Sequence, residues 1–535
     1  MSRLLHHLVE DAAQAKADAS ALTSGKTQFS YGELQHHLQT VATGLQALGL
    51  KPGARIAIYL PKQPETVLAL LATARAGGIF VPVNPLLKPA QVAHILDDCE
   101  ADMLVTSVDR ATLLADILPA CTSLKQLIIT DGVAHPEAFP SLTVTDWQTL
   151  QSGNSPLSGP LHTNITENSV AAILYTSGST GLPKGVVLSH RNLVLGADSV
   201  ARYLDTRASD RLLAVLPLSF DYGLNQLMTA FHAGASVVLM NYLLPRDIVR
   251  TVSRERITTL AGVPSLWIQL ATLDWPESIN EHLHTLTNSG GHLPVPVIKN
   301  LQQRLPASRL FLMYGLTEAF RSSYLPPEEL AIRPTSMGKA IPHAELAVVR
   351  PDGTACAPDE PGELVHAGPL VAQGYWNNPA ATAGHFRPPP AAMPQRNAHE
   401  KVVWSGDTVT MDADGYLYFV GRKDDMIKTS GYRVSPAEIE EVLHASGWVN
   451  EATVFGVPHP RLGQAIVALI TPAADTQIDE AVFVQQVLNS CRTTLPAFML
   501  PAHMEQRQQL PKTPNGKIDR QRLKQEFHGY FTEVP

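Results

Sequence analysis

The alternation of helix-like and strand-like segments is the feature that most restricts how this 535-residue chain can fold. Leucine and valine recur at steps of three and four over 34–48, which predicts a helix that ends near Gly49. IAIYL at 56–60 is typical of a short buried strand, a second apolar helix follows over roughly 64–76, and IFVPV at 79–83 is the next strand. This rhythm predicts an α/β fold in which a parallel sheet is covered by helices.

Composition excludes several classes of protein. With 44% hydrophobic and 17% charged residues the chain has ample material for large cores, so overall disorder is excluded. A formal charge of -8 argues against a nucleic-acid partner, and any bound phosphate must be held by a local site. We find no run of about 18 uninterrupted apolar residues and no signal peptide, so we expect neither a membrane span nor export. The four cysteines are far apart and form no CxxC pair, which favours a soluble protein of the reducing cytoplasm: Cys99, Cys121, Cys356 and Cys491.

The C-terminal part of the sequence has its own pattern. Ser435 and Pro436 predict a helix start, with Glu438 closing a capping box. Phe483 and Cys491 share the face of a later helix, so this cysteine is expected in a core and not as a nucleophile. We therefore divide the chain into a large N-terminal body, 1–423, and a small α+β domain, 424–535.

The segment Tyr175–Gly185, YTSGSTGLPKG, carries the strongest chemical signal. Its glycines permit a backbone that exposes consecutive N–H groups, its small hydroxyls add donors, and its lysine adds positive charge, which together suit a polyphosphate. Pro183 before Lys184 excludes the P-loop NTPase pattern, and G-x-G-x-x-G is absent. The alternative is an ordinary flexible loop between two strands. The residues predicted to bind phosphate are Thr176, Ser177, Gly178, Ser179, Thr180, Gly181 and Lys184.

This segment resembles the phosphate loop of the AMP-forming ligase superfamily, which contains acyl-CoA synthetases, peptide-synthetase adenylation domains and firefly-type luciferases. Further motifs follow in the family's order, so the resemblance covers nearly the whole chain; exosortase-associated acyl-CoA ligases and stand-alone prolyl-carrier ligases are similar in several segments. The resemblance implies a large N-terminal adenylate-forming body, in which parallel sheets flanked by helices accompany a small β-barrel-like part. It also implies that the small α+β C-terminal domain is mobile.

MYGLTE at 313–318 resembles the second motif of the family. There the tyrosine, here Tyr314, lies against the adenine, Thr317 meets the phosphate, and Glu318 holds Mg²⁺. Gly315 belongs to the same nucleotide-binding turn. NSGG at 288–291 resembles the strand end that borders the adenine, which assigns Gly290 and Gly291 to the nucleotide site.

Three later motifs complete the resemblance. SGD at 405–407 is similar to a Thr-Gly-Asp motif whose aspartate, here Asp407, accepts both ribose hydroxyls; serine replaces threonine. GRKDD at 421–425 resembles the hinge, with Arg422 near the ribose and Asp424 as the pivot. KTPNGK at 512–517 resembles the turn that carries the catalytic lysine, here Lys517. Without the other motifs Lys517 would be interpreted as a solvated surface lysine.

The hinge implies a rotation of the small domain between two chemical steps. In the family the lysine turn leaves the site after adenylation and the loop after the hinge enters. In this chain that loop places Lys428 near the second-step site, and Gly431 would let a pantetheine arm pass close to the backbone. The alternative for Lys428 is an exposed cation.

The acid pocket is expected around LPLSFDYG at 216–223. Amino-acid-activating members of the family often carry Phe-Asp here, so Phe220 and Asp221 are candidate pocket residues, and Asp221 could meet a substrate ammonium. The other interpretation is that Asp221 caps the following helix. Arg321 could bind an acid group or form a surface ion pair.

These motifs predict an AMP-forming acid–thiol ligase that uses ATP and Mg²⁺ to activate a carboxylic acid and transfers it to CoA. The alternative is a stand-alone ligase that loads an amino acid such as proline onto the phosphopantetheine of a separate carrier protein. A luciferase-like oxygenase and a non-catalytic nucleotide binder are further alternatives. The expected partners are a small carboxylic or amino acid and, for the second interpretation, the carrier protein.

Overall fold

The computed structural model describes residues 4–132, 136–151, 164–176, 183–422, 425–429, 432–459, 462–473, 479–495 and 497–531. The helices are α1 His7–Ala15, α2 Tyr31–Ala47, α3 Pro64–Arg75, α4 Pro89–Asp98, α5 Val108–Leu114, α6 Trp147–Gln151, α7 His190–Leu204, α8 Asp221–Ala233, α9 Pro245–Arg254, α10 Pro264–Ala271, α11 Val295–Arg304, α12 Pro379–His385, α13 Pro436–Ala445, α14 Glu480–Thr494 and α15 Arg520–Glu526.

The strands are β1 Ser20–Ser24, β2 Thr27–Ser30, β3 Arg55–Tyr59, β4 Ile79–Pro82, β5 Met103–Thr106, β6 Gln126–Ile129, β7 Thr143–Asp146, β8 Val170–Thr176, β9 Lys184–Ser189, β10 Arg211–Ala214, β11 Ser236–Leu239, β12 Thr259–Gly262, β13 Thr285–Asn288, β14 Arg309–Tyr314, β15 Ser323–Leu325, β16 Ser336–Ala340, β17 Glu345–Val349, β18 Gly362–Ala367, β19 Gly374–Tyr375, β20 Phe386–Arg387, β21 Val402–Met411, β22 Leu417–Arg422, β23 Ile427–Thr429, β24 Tyr432–Val434, β25 Val449–His459, β26 Gly463–Pro472 and β27 His503–Gln506.

An 8-stranded sheet contains the first predicted elements. Its strand order is β19-β9-β8-β4-β3-β5-β6-β7. The strands from β8 to β7 run parallel, whereas β9 is antiparallel to both of its neighbours, β8 and β19. The helices predicted at 34–48 and 64–76 are α2 and α3, and the strands predicted at 56–60 and 79–83 are β3 and β4. The prediction of a parallel sheet covered by helices is confirmed.

A 14-stranded sheet forms the second layer, in the order β17-β18-β21-β22-β16-β15-β14-β13-β12-β10-β11-β1-β2, with β20 paired to β21. The strands from β1 through β11, β10, β12 and β13 to β14 are parallel. From β15 to β17 the pairing is antiparallel, and a barrel-like closure of these strands stays a prediction. The two halves are joined strand to strand.

Helices α3 and α8 lie between the two large sheets. One apolar cluster joins Ile58 of β3 and Phe80 of β4 to Leu212 of β10 and Val237 of β11 through these helices. From Asp221 to Phe231 every residue of α8 is buried, because a helix between two sheets has no solvent face. This position fixes the start of α8, where the predicted acid pocket lies.

A third, 5-stranded sheet consists of residues after 425, in the order β24-β23-β26-β25 with β27 on β26. Phe483 and Cys491 of α14 are buried in its core, as predicted. Helix α13 begins after Ser435, also as predicted, but the capping box is wrong, since the Ser435 side chain makes no cap hydrogen bond and donates instead to the carbonyl oxygen of Val420. The boundary between 423 and 424 lies outside the described residues and stays a prediction.

None of the helices in the described ranges combines the length and apolarity needed to span a bilayer.

Candidate active site

The two flanks of the predicted phosphate loop form an antiparallel pair. Thr176 ends β8 and faces Lys184, the first residue of β9. The Nζ of Lys184 lies 5.8 Å from the ring centroid of Tyr375. The predicted residues from Ser177 to Gly181 lie outside the described residues, so the geometry of this loop stays a prediction.

Glu318 is held by a tyrosine that the sequence interpretation missed. It lies in a 3₁₀ turn, Thr317–Ala319, directly after β14, and its Oε1 accepts a hydrogen bond of 2.6 Å from the Oη of Tyr375. Burial raises the pKa of Tyr375, which keeps the phenol protonated as a donor. Among the described residues no protein donor reaches the other carboxylate oxygen of Glu318. A fixed carboxylate with one free oxygen suits Mg²⁺, which prefers oxygen ligands.

Asp407 and its neighbours form a cradle that suits ribose. Asp407 of β21 faces Arg422 of β22 across an antiparallel pair, with 3.3 Å between Arg422 Nε and Asp407 Oδ1. The Oη of Tyr314 donates to Asp407 Oδ2, while Oδ1 is buried and accepts no hydrogen bond. Burial raises the pKa of Asp407 and Arg422 acts against this shift. A buried acceptor without a donor is costly, so the hydroxyls of a ribose fit here. Contact of the Tyr314 ring with adenine stays a prediction.

Glycines, which have no side chain, border the expected adenine position. Gly290 has a φ of +83°, and a Cβ on Gly315 would lie 2.9 Å from the Cα of Arg321, so neither position accepts a side chain without strain. Asn288 donates from Nδ2 to the carbonyl oxygen of Gly291 at 3.1 Å, which leaves its buried Oδ1 without a partner. This surface lets a flat ring approach closely and offers an acceptor for an amino group.

The lysine turn, residues 512–517, is docked on the N-terminal body. Ser265 donates from Oγ to the carbonyl oxygen of Gly516 at 2.7 Å. Asn84 donates from Nδ2 to the carbonyl oxygen of Pro514 at 3.2 Å and to Oδ1 of Asn515 at 3.1 Å. These contacts place the last residue of the turn in the cleft.

Lys517 therefore lies between the predicted nucleotide and acid sites. Its Nζ is 5.3 Å from the ring centroid of Phe220, and a Cβ at Gly290 would be 3.2 Å from its Cε. The residue remains exposed to solvent, although Phe220 and Gly290 lie close to the end of its side chain. Desolvation there lowers the pKa of Lys517, while the carboxylates of Asp221 and Asp407 act to raise it. The lysine thus interacts electrostatically with Asp221 in the predicted acid site and with Asp407 in the predicted nucleotide site.

Asp221 is the first residue of α8 and not its cap. The N-cap position belongs to Phe220, which makes no side-chain cap hydrogen bond, so the interpretation of Asp221 as a cap is wrong. The Asp221 carboxylate is buried at 6% exposure. Burial raises its pKa, and the positive charges of Arg321 and Lys517 oppose this shift. The structure places Phe220 next to Lys517, with Asp221 following it in the chain, and the role of both residues in an acid pocket stays a prediction.

Arg321 is not a surface residue, so the interpretation that it forms a surface ion pair is wrong. Only 2% of it is exposed. Its Nη1 donates to the Oγ of Ser289 at 2.8 Å, and its guanidinium lies 4.9 Å from the ring centroid of Tyr222. The charge of Arg321 therefore lies in the interior of the protein, beside the start of α8.

The residues expected to act in the second step are largely outside the described part. Asp424 and Gly431 are not among the described residues, and for Lys428 only its place in β23 is described. Their roles stay predictions.

Two family models match the chain. The model of AMP-binding enzymes matches residues 9–376, and that of the AMP-binding enzyme C-terminal domain matches residues 438–517. The chain belongs to the family of AMP-binding enzymes, the AMP-forming ligase superfamily that the motifs resemble. The expected use of ATP and Mg²⁺, with CoA ligases among the relatives, agrees with this family.

Curated relatives include ligases of two kinds. A feruloyl-CoA synthase of Amycolatopsis sp is 30% identical over 519 residues, which is 96% of this chain and 97% of that protein. An L-proline--[L-prolyl-carrier protein] ligase of Streptomyces coelicolor is 32% identical over 512 residues, or 93% of this chain and 92% of that protein. A linear gramicidin synthase of Brevibacillus parabrevis is 31% identical over 530 residues, or 98% of this chain, but the chain spans only 6% of that much longer protein.

Solved structures agree on the architecture. The crystal structure of ATP-bound MatB from Rhodopseudomonas palustris has a TM-score of 0.85 at 25% identity, with 99% of this chain and 100% of that chain covered. The anthranilate CoA ligase AuaEII has a TM-score of 0.87 at 24% identity with the same coverage, which supports the fold alone. The predicted fold class is confirmed.

Proposed function

We propose that this chain is an acyl-CoA synthetase: it joins a carboxylic acid to ATP, releases pyrophosphate, and transfers the acyl group from the acyl-adenylate to the thiol of CoA. The observation that supports it most directly is the position of Lys517. The Nζ of this lysine, from the C-terminal part of the chain, lies 5.3 Å from the ring centroid of Phe220 in the predicted acid pocket. Its Cε would lie 3.2 Å from a Cβ on Gly290, at the predicted adenine border. A residue so placed can act on the carboxylate and the α-phosphate together.

The first step needs charge neutralisation more than proton transfer. A carboxylate oxygen attacks the α-phosphorus, a new C–O–P bond forms, and the bond to the bridging oxygen breaks as pyrophosphate leaves. Two anions must approach each other, and Lys517 can donate hydrogen bonds to oxygens of both. Mg²⁺, when bound, supplies further positive charge at the phosphates, and Glu318 with its free oxygen fits as a ligand.

The second step requires the lysine turn to leave. Asn84 and Ser265 hold the turn through three hydrogen bonds, and the proposed rotation about Asp424 would break them. The segment with Lys428 and Gly431 would then enter with the thiol. The division into a body, 1–423, and a mobile domain, 424–535, is part of this proposal.

CoA is the proposed acceptor because a feruloyl-CoA synthase aligns with the chain over nearly its full length. A carrier-protein thiol uses the same phosphopantetheine arm, so the choice must be tested directly. All four cysteines are free thiols, as is usual for proteins of a reducing compartment. We therefore propose a cytoplasmic location.

The test is acid-dependent exchange of labelled pyrophosphate into ATP with a panel of alkyl, aromatic and amino acids, proline included. Acids that support exchange are then offered CoA or a holo-carrier protein. We expect exchange with a non-amino acid and a thioester with CoA. Exchange with proline alone, with transfer only to the carrier, would overturn the acyl-CoA assignment. ATP binding with no acid-dependent exchange would overturn the ligase assignment itself.

A further inference from the structure

The buried guanidinium of Arg321 has hydrogen-bonding capacity that the protein leaves unused. Its Nη1 donates to Ser289, but its Nε and Nη2 are buried and have no hydrogen-bond partner. Buried donors without acceptors are rare in proteins, and those of a charged group are especially costly. An interior arginine with only one hydrogen bond is therefore a place where a ligand acceptor is expected.

The two unused atoms lie along one edge of the guanidinium. Nε–H and the neighbouring Nη2–H point in nearly parallel directions, which is the arrangement that meets two oxygens of one carboxylate or a single carbonyl oxygen. Among the described residues no carboxylate forms an ion pair with Arg321. The charge of Arg321 acts to lower the pKa of the nearby Asp221, but the Asp221 carboxylate makes no hydrogen bond to Nε or Nη2.

The position of Arg321 links it to the reacting end of the acid pocket. Its partner Ser289 precedes Gly290, whose missing Cβ would lie 3.2 Å from Lys517 Cε and 3.6 Å from Phe220 Cζ. The guanidinium also lies against Tyr222, the second residue of α8. An acid whose carboxylate reaches Lys517 would therefore have its carbon skeleton beside Arg321.

The first turns of α8 also contain buried polar atoms without partners. Asn225 follows Asp221 by four residues and so shares its face of the helix. The buried Nδ2 of Asn225 has no hydrogen-bond partner, and neither has the buried Oε1 of Gln226. The buried start of α8, which contacts Arg321 through Tyr222, therefore carries unpaired polar groups that disfavour a long alkyl chain packed against them.

We propose that Arg321 is a specificity-determining residue that selects acids with a second oxygen acceptor on their carbon skeleton, bound by its Nε and Nη2 edge. The acceptor is a carboxylate or a neutral carbonyl oxygen. This inference rests on the proposed function and names the class of acid that the same site takes.

Matched acids provide the test, with pyrophosphate exchange as the readout. At two chain lengths the alkyl acid is compared with the diacid and its half-amide: butanoic, succinic and succinamic acids, and hexanoic, adipic and adipamic acids. The wild type should favour an oxygen-bearing acid over its alkyl partner by about tenfold or more in kcat/KM, as expected for a hydrogen bond to a charged group. A preference for the diacid indicates a carboxylate as the acceptor, and a preference for the half-amide indicates a neutral carbonyl oxygen. Arg321→Met should reduce that ratio to near one.

The controls separate specificity from folding. Arg309→Met removes another arginine that lies beside an aromatic ring, that of Phe311, outside the pocket, and should leave the ratio unchanged. ATP binding by calorimetry reports whether Arg321→Met is folded. A wild-type preference for the alkyl acids, or a ratio that survives in a folded Arg321→Met variant, would overturn the inference. If that variant does not fold, the wild-type ratio alone decides. Absence of exchange with any acid would instead overturn the proposed function.

Discussion

The docking of the lysine turn offers a step-specific test of the mechanism. Two side chains of the body hold the turn in the cleft: Ser265 through Gly516, and Asn84 through Pro514 and Asn515. We predict that the double variant Asn84→Ala/Ser265→Ala slows adenylate formation but does not slow thioester formation from adenylate that is already bound. The reason is that only the first step needs the turn in place.

The magnitude follows from the three lost hydrogen bonds that join the turn to the body; a fourth, from the Leu86 amide to Asn84 Oδ1, lies within the body and does not hold the turn. A net value of about 1 kcal/mol for each bond gives about 3 kcal/mol for the double variant. Since 1.4 kcal/mol corresponds to a factor of ten, the docked fraction, and with it the adenylation rate, falls by at most roughly 150-fold. Ser265→Ala alone removes one bond and should slow adenylation by about fivefold.

Two measurements separate the steps. Pyrophosphate exchange at saturating ATP and acid reports adenylation, and a chase of the isolated enzyme–adenylate complex with CoA reports thioester formation. Ser308→Ala is a matched control, because it loses a similar bond of 2.6 Å, to the carbonyl oxygen of Leu283, away from the turn. Equal slowing of both steps, or an unchanged exchange rate in the double variant, would refute this reasoning.

Three further outcomes are expected. Lys517→Ala should slow adenylate formation by on the order of 10²–10³, as for loss of one contact to a developing anion; normal pyrophosphate release in quenched-flow experiments would contradict this. Tyr375→Phe removes the donor to Glu318 and should raise the Mg²⁺ concentration for half-maximal ATP binding about two- to tenfold in calorimetry, and identical Mg²⁺ titrations would count against it. Burial lowers the pKa of His190, which accepts a hydrogen bond from the Leu5 amide, from 6.5 to about 4. The unfolded chain therefore takes up the proton first, and the contribution of His190 to the free energy of unfolding should fall by up to about 3 kcal/mol as the pH drops from 6.5 to 4, beside contributions from other histidines with a lowered pKa, such as His444. His190→Asn should flatten this dependence in urea titrations; parallel slopes would exclude the assignment.

The parts of the fold that follow from local sequence could be predicted. The apolar spacing in α2 and α3 and the short runs of β3 and β4 identify their type, because each pattern reports one buried face or a wholly buried strand. The start of α13 was also predictable, but its capping box was not. There Ser435 meets the carbonyl of Val420, a contact set by how β22 packs against α13.

The parts of the site that depend on distant contacts could not be predicted. Asn84 and Pro514 are 430 positions apart, and Ser265 and Gly516 are 251 apart, so no local pattern connects them. Tyr375 reaches Glu318 across 57 positions for the same reason. The burial of these side chains depends on packing between layers, which residue spacing does not encode.

The continuous 14-stranded sheet has a consequence for how the body opens. Tyr314, Asp407 and Arg422 belong to three strands of that sheet, which also contains the parallel strands next to the proposed acid pocket. The residues that suit ribose and those of the proposed acid pocket thus depend on the hydrogen bonds of one sheet. We expect the amides at both places to lose protection from hydrogen exchange in one cooperative opening. The third sheet has no strand in common with it, so its strands need not take part in that opening. A bound nucleotide should therefore slow amide hydrogen exchange in strands of the 14-stranded sheet that do not contact it.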